Sequence, residues 1–215
     1  MVGRKGKRDR RRGSEAAAIL GMNPYMSNVE LWEYKTGRRQ RENKDSAYME
    51  YGCEAEKPLI ELFGLDYPRY KTIMPEAYRL QRNEEYPYIL GTVDAELLEE
   101  ETKRIGFLEV KTTNILASGQ KEQWNERIPQ NYYVQCLHYL LVNPEYEYFY
   151  LKAQLKNVWK GQGDKDNEVR LTTKHYYFER KEVEEDLKVL KEKEIEFWQE
   201  YVKKDKRPNL VLPPI

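Results

Sequence analysis

The chain has 215 residues and a mass of 25.9 kDa, which at roughly 150 residues per domain fits one sizeable domain rather than two. Hydrophobic residues make up 40% of it and aromatic residues 13%, enough for a packed core, so disorder throughout is excluded. Lys and Arg number 37 and Asp and Glu 37, so net charge does not point to a nucleic-acid partner, and only the distribution of charge can.

No apolar run approaches the roughly 20 residues of a membrane span. The basic start has no apolar stretch behind it, so it does not read as a secretory signal, and a cytoplasmic protein without a membrane partner is expected. Two cysteines, Cys53 and Cys136, cannot build a disulfide framework or a metal cage; both are expected to be reduced and mostly buried.

Residues Arg4 to Arg12 read RKGKRDRRR, a basic arm too polar to pack by itself. Ser14 opens an Ala-rich helical segment that the Gly21-Met22-Asn23-Pro24 turn stops, and Ser27 with Glu30 forms a capping box for a helix that Gly37 ends. From Ser46 to Phe63 a helical stripe carries Met49, Cys53, Ile60 and Phe63, with Glu56 among them and Pro58 expected to kink or restart the helix. Four β-like runs follow, at about 70–74, 77–81, 88–97 and 105–112, and are read as an antiparallel meander. Helical pattern returns over 120–142, broken near Pro129, with Tyr132, Gln135, Cys136 and Tyr139 near one another on one face. Strands are expected at 146–155 and 171–178, and a charged helix from Glu179 to about Lys203 whose apolar Val183, Leu187, Leu190, Phe197 and Trp198 pack on its own domain. The order predicts an α/β fold: one domain over 13–215, with a mixed sheet flanked by helices, preceded by the arm at 1–12.

The segment that carries chemistry runs from Ile89 to Thr113. Strand alternation puts Glu109 and Lys111 on one face and Val110 on the other, and the acidic turn Glu99 to Lys103 can return the chain so that Asp94, placed in the preceding strand, comes beside Glu109. Two carboxylates and a lysine then converge. That trio suits phosphodiester hydrolysis: Mg²⁺ takes oxygen ligands, here Asp94, Glu109 and the Val110 backbone carbonyl, and keeps positions for water and phosphate. Lys111 could then orient the attacking water and balance developing negative charge. Glu56, an acid on an apolar stripe, invites a metal or basic partner, with Glu54 and Glu96 as alternatives.

These residues resemble the lambda exonuclease or YqaJ-type viral recombinase family of the PD-(D/E)XK nuclease superfamily. The resemblance spans about Lys7 to Leu155 and rests on RGSEAAAILGMNPY with ELWEYKTG, then MEYGCEAEKPLIELF, GTVDA, FLEVKT and W-x3-IPQNYYVQCLHYL, in that order. It implies a restriction-endonuclease-like core. By position it implies Asp94 and Glu109 as metal carboxylates, Lys111 as the catalytic lysine, Glu56 as the helical acid, and Gln135 with Tyr132 beside the active site. Ser14 resembles a position that contacts a DNA phosphate, accompanied by a basic residue of the arm, with Lys7 and Arg8 as candidates and Arg12 in the same cluster. Val93 and Ala95 stand where many relatives have Pro and Gly around the metal Asp. The implied activity is Mg²⁺-dependent (Mn²⁺ as a substitute), ATP-independent digestion of linear double-stranded DNA from the 5′ end, leaving a 3′ overhang for annealing recombination. The implied partners are DNA ends, a single-strand annealing protein, and further copies of the chain in a trimeric ring. A catalytically silent DNA-binding module and an endonuclease of the same superfamily are the competing readings.

Overall fold

The computed structural model describes residues 13–40, 47–75, 80–115, 122–125, 127–159 and 168–212. The arm with Lys7, Arg8 and Arg12 lies outside these residues, as do residues 77–79 of the second predicted strand.

Helix α1 (Gly13–Ile19) starts one residue before the predicted Ser14 and buries Ala16, Ala17 and Ala18, side chains small enough for close helix contact. Helix α2 (Asn28–Lys35) has the predicted capping box: the Ser27 hydroxyl accepts from the Glu30 N–H at 3.2 Å, and the Ser27 N–H donates to the Glu30 carboxylate at 3.0 Å. Helix α3 (Ala47–Asp66) runs through Pro58 without a break, against the expected kink or restart. Pro58 and Glu54 are both exposed, so the Glu54 carbonyl that loses its helical N–H partner is at the solvent side. Cys53 is exposed, correcting the expectation of a buried thiol; Cys136 is buried. The buried stripe of α3 begins only at Leu59 and continues through Ile60 and Phe63, while an earlier turn meets the sheet through a polar contact, the Tyr51 hydroxyl donating to Gln154 Oε1 at 2.7 Å.

The sheet has five strands in the order β1-β4-β5-β6-β7, formed by β1 (Tyr70–Ile73), β4 (Ala95–Glu99), β5 (Ile105–Ile115), β6 (Tyr148–Trp159) and β7 (Glu168–Glu179). β5 and β6 are parallel and joined through helix α4 (Gln130–Val142), while the other neighbours are antiparallel. The predicted meander is therefore only partly present. β2 (Gln81–Arg82) and β3 (Leu90–Gly91) pair with each other in a separate two-stranded ribbon, and the predicted strand over 88–97 is interrupted at Thr92 to Asp94. Two contacts explain the separation: Asn83 Nδ2 donates to the Leu141 carbonyl at 2.7 Å, and Gly91 lies against the Tyr139 ring, so the ribbon is fastened to α4 instead of the sheet.

Alternation along β5 and β6 divides the core into two layers. Leu151, Ala153 and Leu155 join Phe107, Val134, Leu137 and Leu140 in the cluster under α4 and helix α5 (Glu184–Glu196). Leu108, Val110, Tyr148 and Tyr150 meet Leu59, Ile60 and Phe63 of α3 on the other face. The C-terminal helix packs on its own domain as expected, but it is composite: a 3₁₀ turn (Arg180–Glu182), α5, and wider π-type turns (Phe197–Val202). Helix α4 starts directly after Pro129, where the helical pattern was expected to break.

The parallel pair demands close packing at Gly106, where an added Cβ would meet the Tyr148 ring and carbonyl at 2.5 Å. Gly106→Ala is expected to cost about 1–3 kcal/mol by overpacking. Gly64→Ala on α3 would meet Thr72 only at 3.5 Å and is expected to leave stability unchanged or raise it by up to about 1 kcal/mol. Denaturant midpoints of the two variants check this; equal midpoints would contradict it.

Candidate active site

Strand β5 is buried from Gly106 to Val110 and partly exposed from Lys111 onward, so Glu109 stands where the sheet emerges from its helical cover. The predicted alternation holds: Val110 packs in the α3 layer, while Glu109 and Lys111 turn to α4.

The last paired residues of β4 and β5 are Ala95 and Leu108, and one step further the register sets Asp94 against Glu109. Asp94 is in a bend rather than in the strand that the sequence suggested. Its Oδ2 accepts the Val110 N–H at 2.8 Å. A side-chain carboxylate thus takes the place of a strand carbonyl, which ends the ladder and fixes Asp94 beside the cluster.

Glu109 is 2% exposed. Its Oε1 accepts from Lys111 Nζ at 2.5 Å and from Gln135 Nε2 at 2.7 Å, and its Oε2 is buried with no hydrogen-bond partner among the described residues. Burial, then the Asp94 charge and, as a smaller contribution, that of Glu56 push its carboxyl up to about 8 against the pull of Lys111. Burial works against the Lys111 ammonium, but the Glu109 and Asp94 carboxylates outweigh it and hold the amine above its ordinary value. Lys111 also sits 5.2 Å over the Tyr132 ring. Among the described residues no three His, Cys, Asp or Glu side chains close into a ready metal cage. The donor set nevertheless fits a hard cation: a buried carboxylate oxygen without a partner is what an oxygen-seeking divalent ion would satisfy.

Of the alternatives for the helical acid, Glu54 is exposed and Glu96 is engaged elsewhere, accepting from Gln81 at 2.7 Å and Tyr146 at 2.8 Å. Glu56 is the one whose charge reaches Glu109. Ser14 is partly buried in the first turn of α1, its carbonyl accepting from Asn23 Nδ2 at 2.8 Å; α1 packs on α4.

Two residues had no assigned role in the sequence. Gln135 also donates to the Tyr139 hydroxyl at 2.9 Å, and the Tyr139 ring is clamped by Gly13 and Gly91, where an added Cβ would meet it at 2.6 Å and 2.8 Å. The i, i+4 spacing of Gln135 and Tyr139 was the available signal. Trp124 stacks on Tyr132 at 5.5 Å, and its backbone carbonyl accepts from Lys174 at 2.6 Å and from Tyr176, so β7 holds the platform under Lys111. That arrangement depends on a loop-to-strand contact without a sequence pattern.

The sheet, its helical layers and the acid–lysine cluster define a chain with the PD-(D/E)XK nuclease fold. Residues 5–145 match the YqaJ-like viral recombinase domain, and the chain belongs to that family. It is 31% identical over 206 residues to the protein YqaJ of Bacillus subtilis (strain 168), itself described as uncharacterized, covering 92% of this chain. The chain spans 55% of that relative's length. In fold it is similar to an alkaline exonuclease, LHK-Exo, from Laribacter hongkongensis (TM-score 0.52, 15% identity, covering 90% of this chain and 91% of that one). It is also similar to a phage related exonuclease from Haemophilus somnus 129PT (TM-score 0.52, 14% identity, covering 90% and 95%).

The raised Glu109 carboxyl gives a pH prediction with a definite sign. Its contribution to stability is full below its ordinary value of 4.5 and is lost as pH rises to about 8, because the folded state must then hold a charge it disfavours. A divalent cation relieves that cost, so the gain in melting temperature from Mg²⁺ is expected to be larger at about pH 9 than at about pH 6. Thermal unfolding at both values checks it, and Glu109→Gln should remove most of the difference.

Proposed function

We propose that this chain is a divalent-metal-dependent, ATP-independent DNA exonuclease that digests linear duplex from the 5′ end and leaves a 3′ single-stranded overhang for annealing recombination. The observation that carries the reading is the buried Glu109 carboxylate, one oxygen held by Lys111 and Gln135 and the other without a partner among the described residues, with Asp94 fixed alongside. The family membership and the likeness in fold to two exonucleases support the same class of reaction.

In this reading Asp94, Glu109 and the Val110 carbonyl hold Mg²⁺ or Mn²⁺, with Glu56 as the more remote acid. The bound ion supplies Lewis acidity and lowers the pKa of a coordinated water. Gln135 donates to Oε1 and so keeps Oε2 available for the ion. Lys111, held cationic by the carboxylates and backed by Tyr132, brings positive charge to where the phosphoryl oxygens gain negative charge and orients the attacking water. Ser14 and the arm residues Lys7, Arg8 and Arg12 bind backbone phosphates, a role that suits basic and hydroxyl side chains. Work in the cytoplasm with a single-strand annealing protein, and assembly of copies into a ring around DNA, belong to the same proposal. Enclosure would keep the enzyme on its substrate when salt weakens phosphate contacts.

Nucleotide release with Mg²⁺ and no ATP, compared between 5′-labelled linear duplex and covalently closed circles of the same sequence, tests the reading. Release from the linear form alone is expected; cutting of circles would replace it with an endonuclease, and silence on both would contradict the enzyme. Lys111→Ala should lower kcat by on the order of 10²–10³ with DNA binding retained. Equal turnover by the variant would remove Lys111 from the mechanism.

A further inference from the structure

Three residues beyond Gln135 on α4, His138 borders a cavity of about 250 Å³ together with Glu15, Lys35, Tyr88, Leu90 and Glu194. His138 and Glu194 are each 5% exposed. The ring's Nδ1 lies 2.7 Å from a Glu194 carboxylate oxygen and its Nε2 lies 3.1 Å from the Leu90 carbonyl. Both partners are acceptors. A neutral imidazole has one N–H and serves only one of them, whereas an imidazolium donates to both. A doubly protonated ring beside an ionised Glu194 meets both contacts at once.

Of the elements that His138 joins, α4 carries Gln135 and β3 leads into the Asp94 bend. Leu90 is in β3, four residues before Asp94 in the chain. The short connection between them is packed, with Gly91 against the Tyr139 ring and Val93 buried at 2% exposure. Glu194 is on α5 and Gln135 on α4, so one ring fastens the Asp94 segment to two helices. We propose that His138 is a positioning residue for Asp94: its doubly protonated ring ties Leu90 to α4 and α5, and loss of the second proton releases that tie. The assignment rests on the reading of Asp94 as a metal ligand of the nuclease.

The charged and titratable surroundings agree. Glu194 faces the ring from α5, Glu15 from α1, itself paired to Lys35 of α2 at 2.6 Å, and Tyr88 from the loop before β3. Burial disfavours the charged ring, but the Glu194 carboxylate, the Leu90 carbonyl and the more distant Glu15 outweigh it and raise the imidazole above its ordinary value. The tie is thus fully present below the pKa of about 6.5 of a free imidazole and is lost as pH rises through the folded value.

The full chain has two histidines, and His175 is shifted the opposite way, downward, by burial and by Lys152, so the two rings separate in an NMR titration. In the wild type, the His138 ring is expected to carry two N–H groups at neutral pH, and the amide signals of residues 90–94 to move with its deprotonation. Above that midpoint kcat on linear duplex should fall about tenfold per pH unit with KM little changed. Glu194→Gln supplies an amide donor to the Nδ1 of a neutral ring while the Nε2 N–H keeps Leu90, so its alkaline fall should disappear. His138→Ala, which misplaces Asp94 at every pH, should lose on the order of a hundredfold in kcat. A His138 ring with one N–H at neutral pH overturns the proposal, as does an alkaline limb shared by wild type and Glu194→Gln. Ring and amide signals need no turnover, so a wild type without nuclease activity would count against the proposed reaction, while the titration would still decide the tie.

Discussion

Much of this structure follows from one constraint, the placement of a carboxylate inside a sheet. Glu109 lies where β5 is about to leave its helical cover, and an acid there needs donors from the next layer. Lys111, two residues on and so on the same face, supplies the charge, and Gln135 supplies a neutral donor from α4. The register of α4 over the sheet is fixed in the process, because Gln135 must reach Glu109 while Val134 and Leu137 enter the core. Tyr139 continues the chain of contacts to α1 and β3, where glycines at 13 and 91 make room for its ring.

Asp94 shows how a local rule is broken at the point of use. A regular β4 would have continued pairing with β5, and the carbonyl of the strand would have received the Val110 N–H. The Asp94 side chain receives it instead, so the backbone is free to bend and the carboxylate is held beside Glu109. Val93 and Ala95 on either side make this a different local solution from a Pro-Asp-Gly sequence: Val93 is anchored in the core and Ala95 starts the strand.

The alternation of Glu109, Val110 and Lys111 was legible because period two is a property of any strand, and the capping box at Ser27 because it needs only local donors and acceptors. Much of the helix–sheet order was legible for the same reason, as a series of local periodicities, but the meander was not. The interruption at Thr92 to Asp94 was not, since it depends on a hydrogen bond from another strand. Pro58 and Cys53 misled because the reading assumed a stripe buried along its whole length, whereas both occupy exposed positions of α3, where water tolerates them. Trp124 and Tyr139 received no role for a related reason: what they hold up is decided by β7, Gly13 and Gly91, which are distant in the chain.

A comparison among the buried acids separates the site from the scaffold. Glu15 meets Lys35 at 2.6 Å and Glu194 meets His138 at 2.7 Å, one acid to one base, each fastening helices together. Glu109 has a base at 2.5 Å as well, yet burial first and then the Asp94 charge, with Glu56 adding to the repulsion, push its carboxyl up to about 8. A fold selected only for stability gains nothing from crowding carboxylates around one amine and leaving a buried oxygen without a donor. A divalent cation would convert that cost into binding energy, since the repulsion between carboxylates is what it would relieve. For that reason the cluster supports the proposed metal site over a silent relic of the fold.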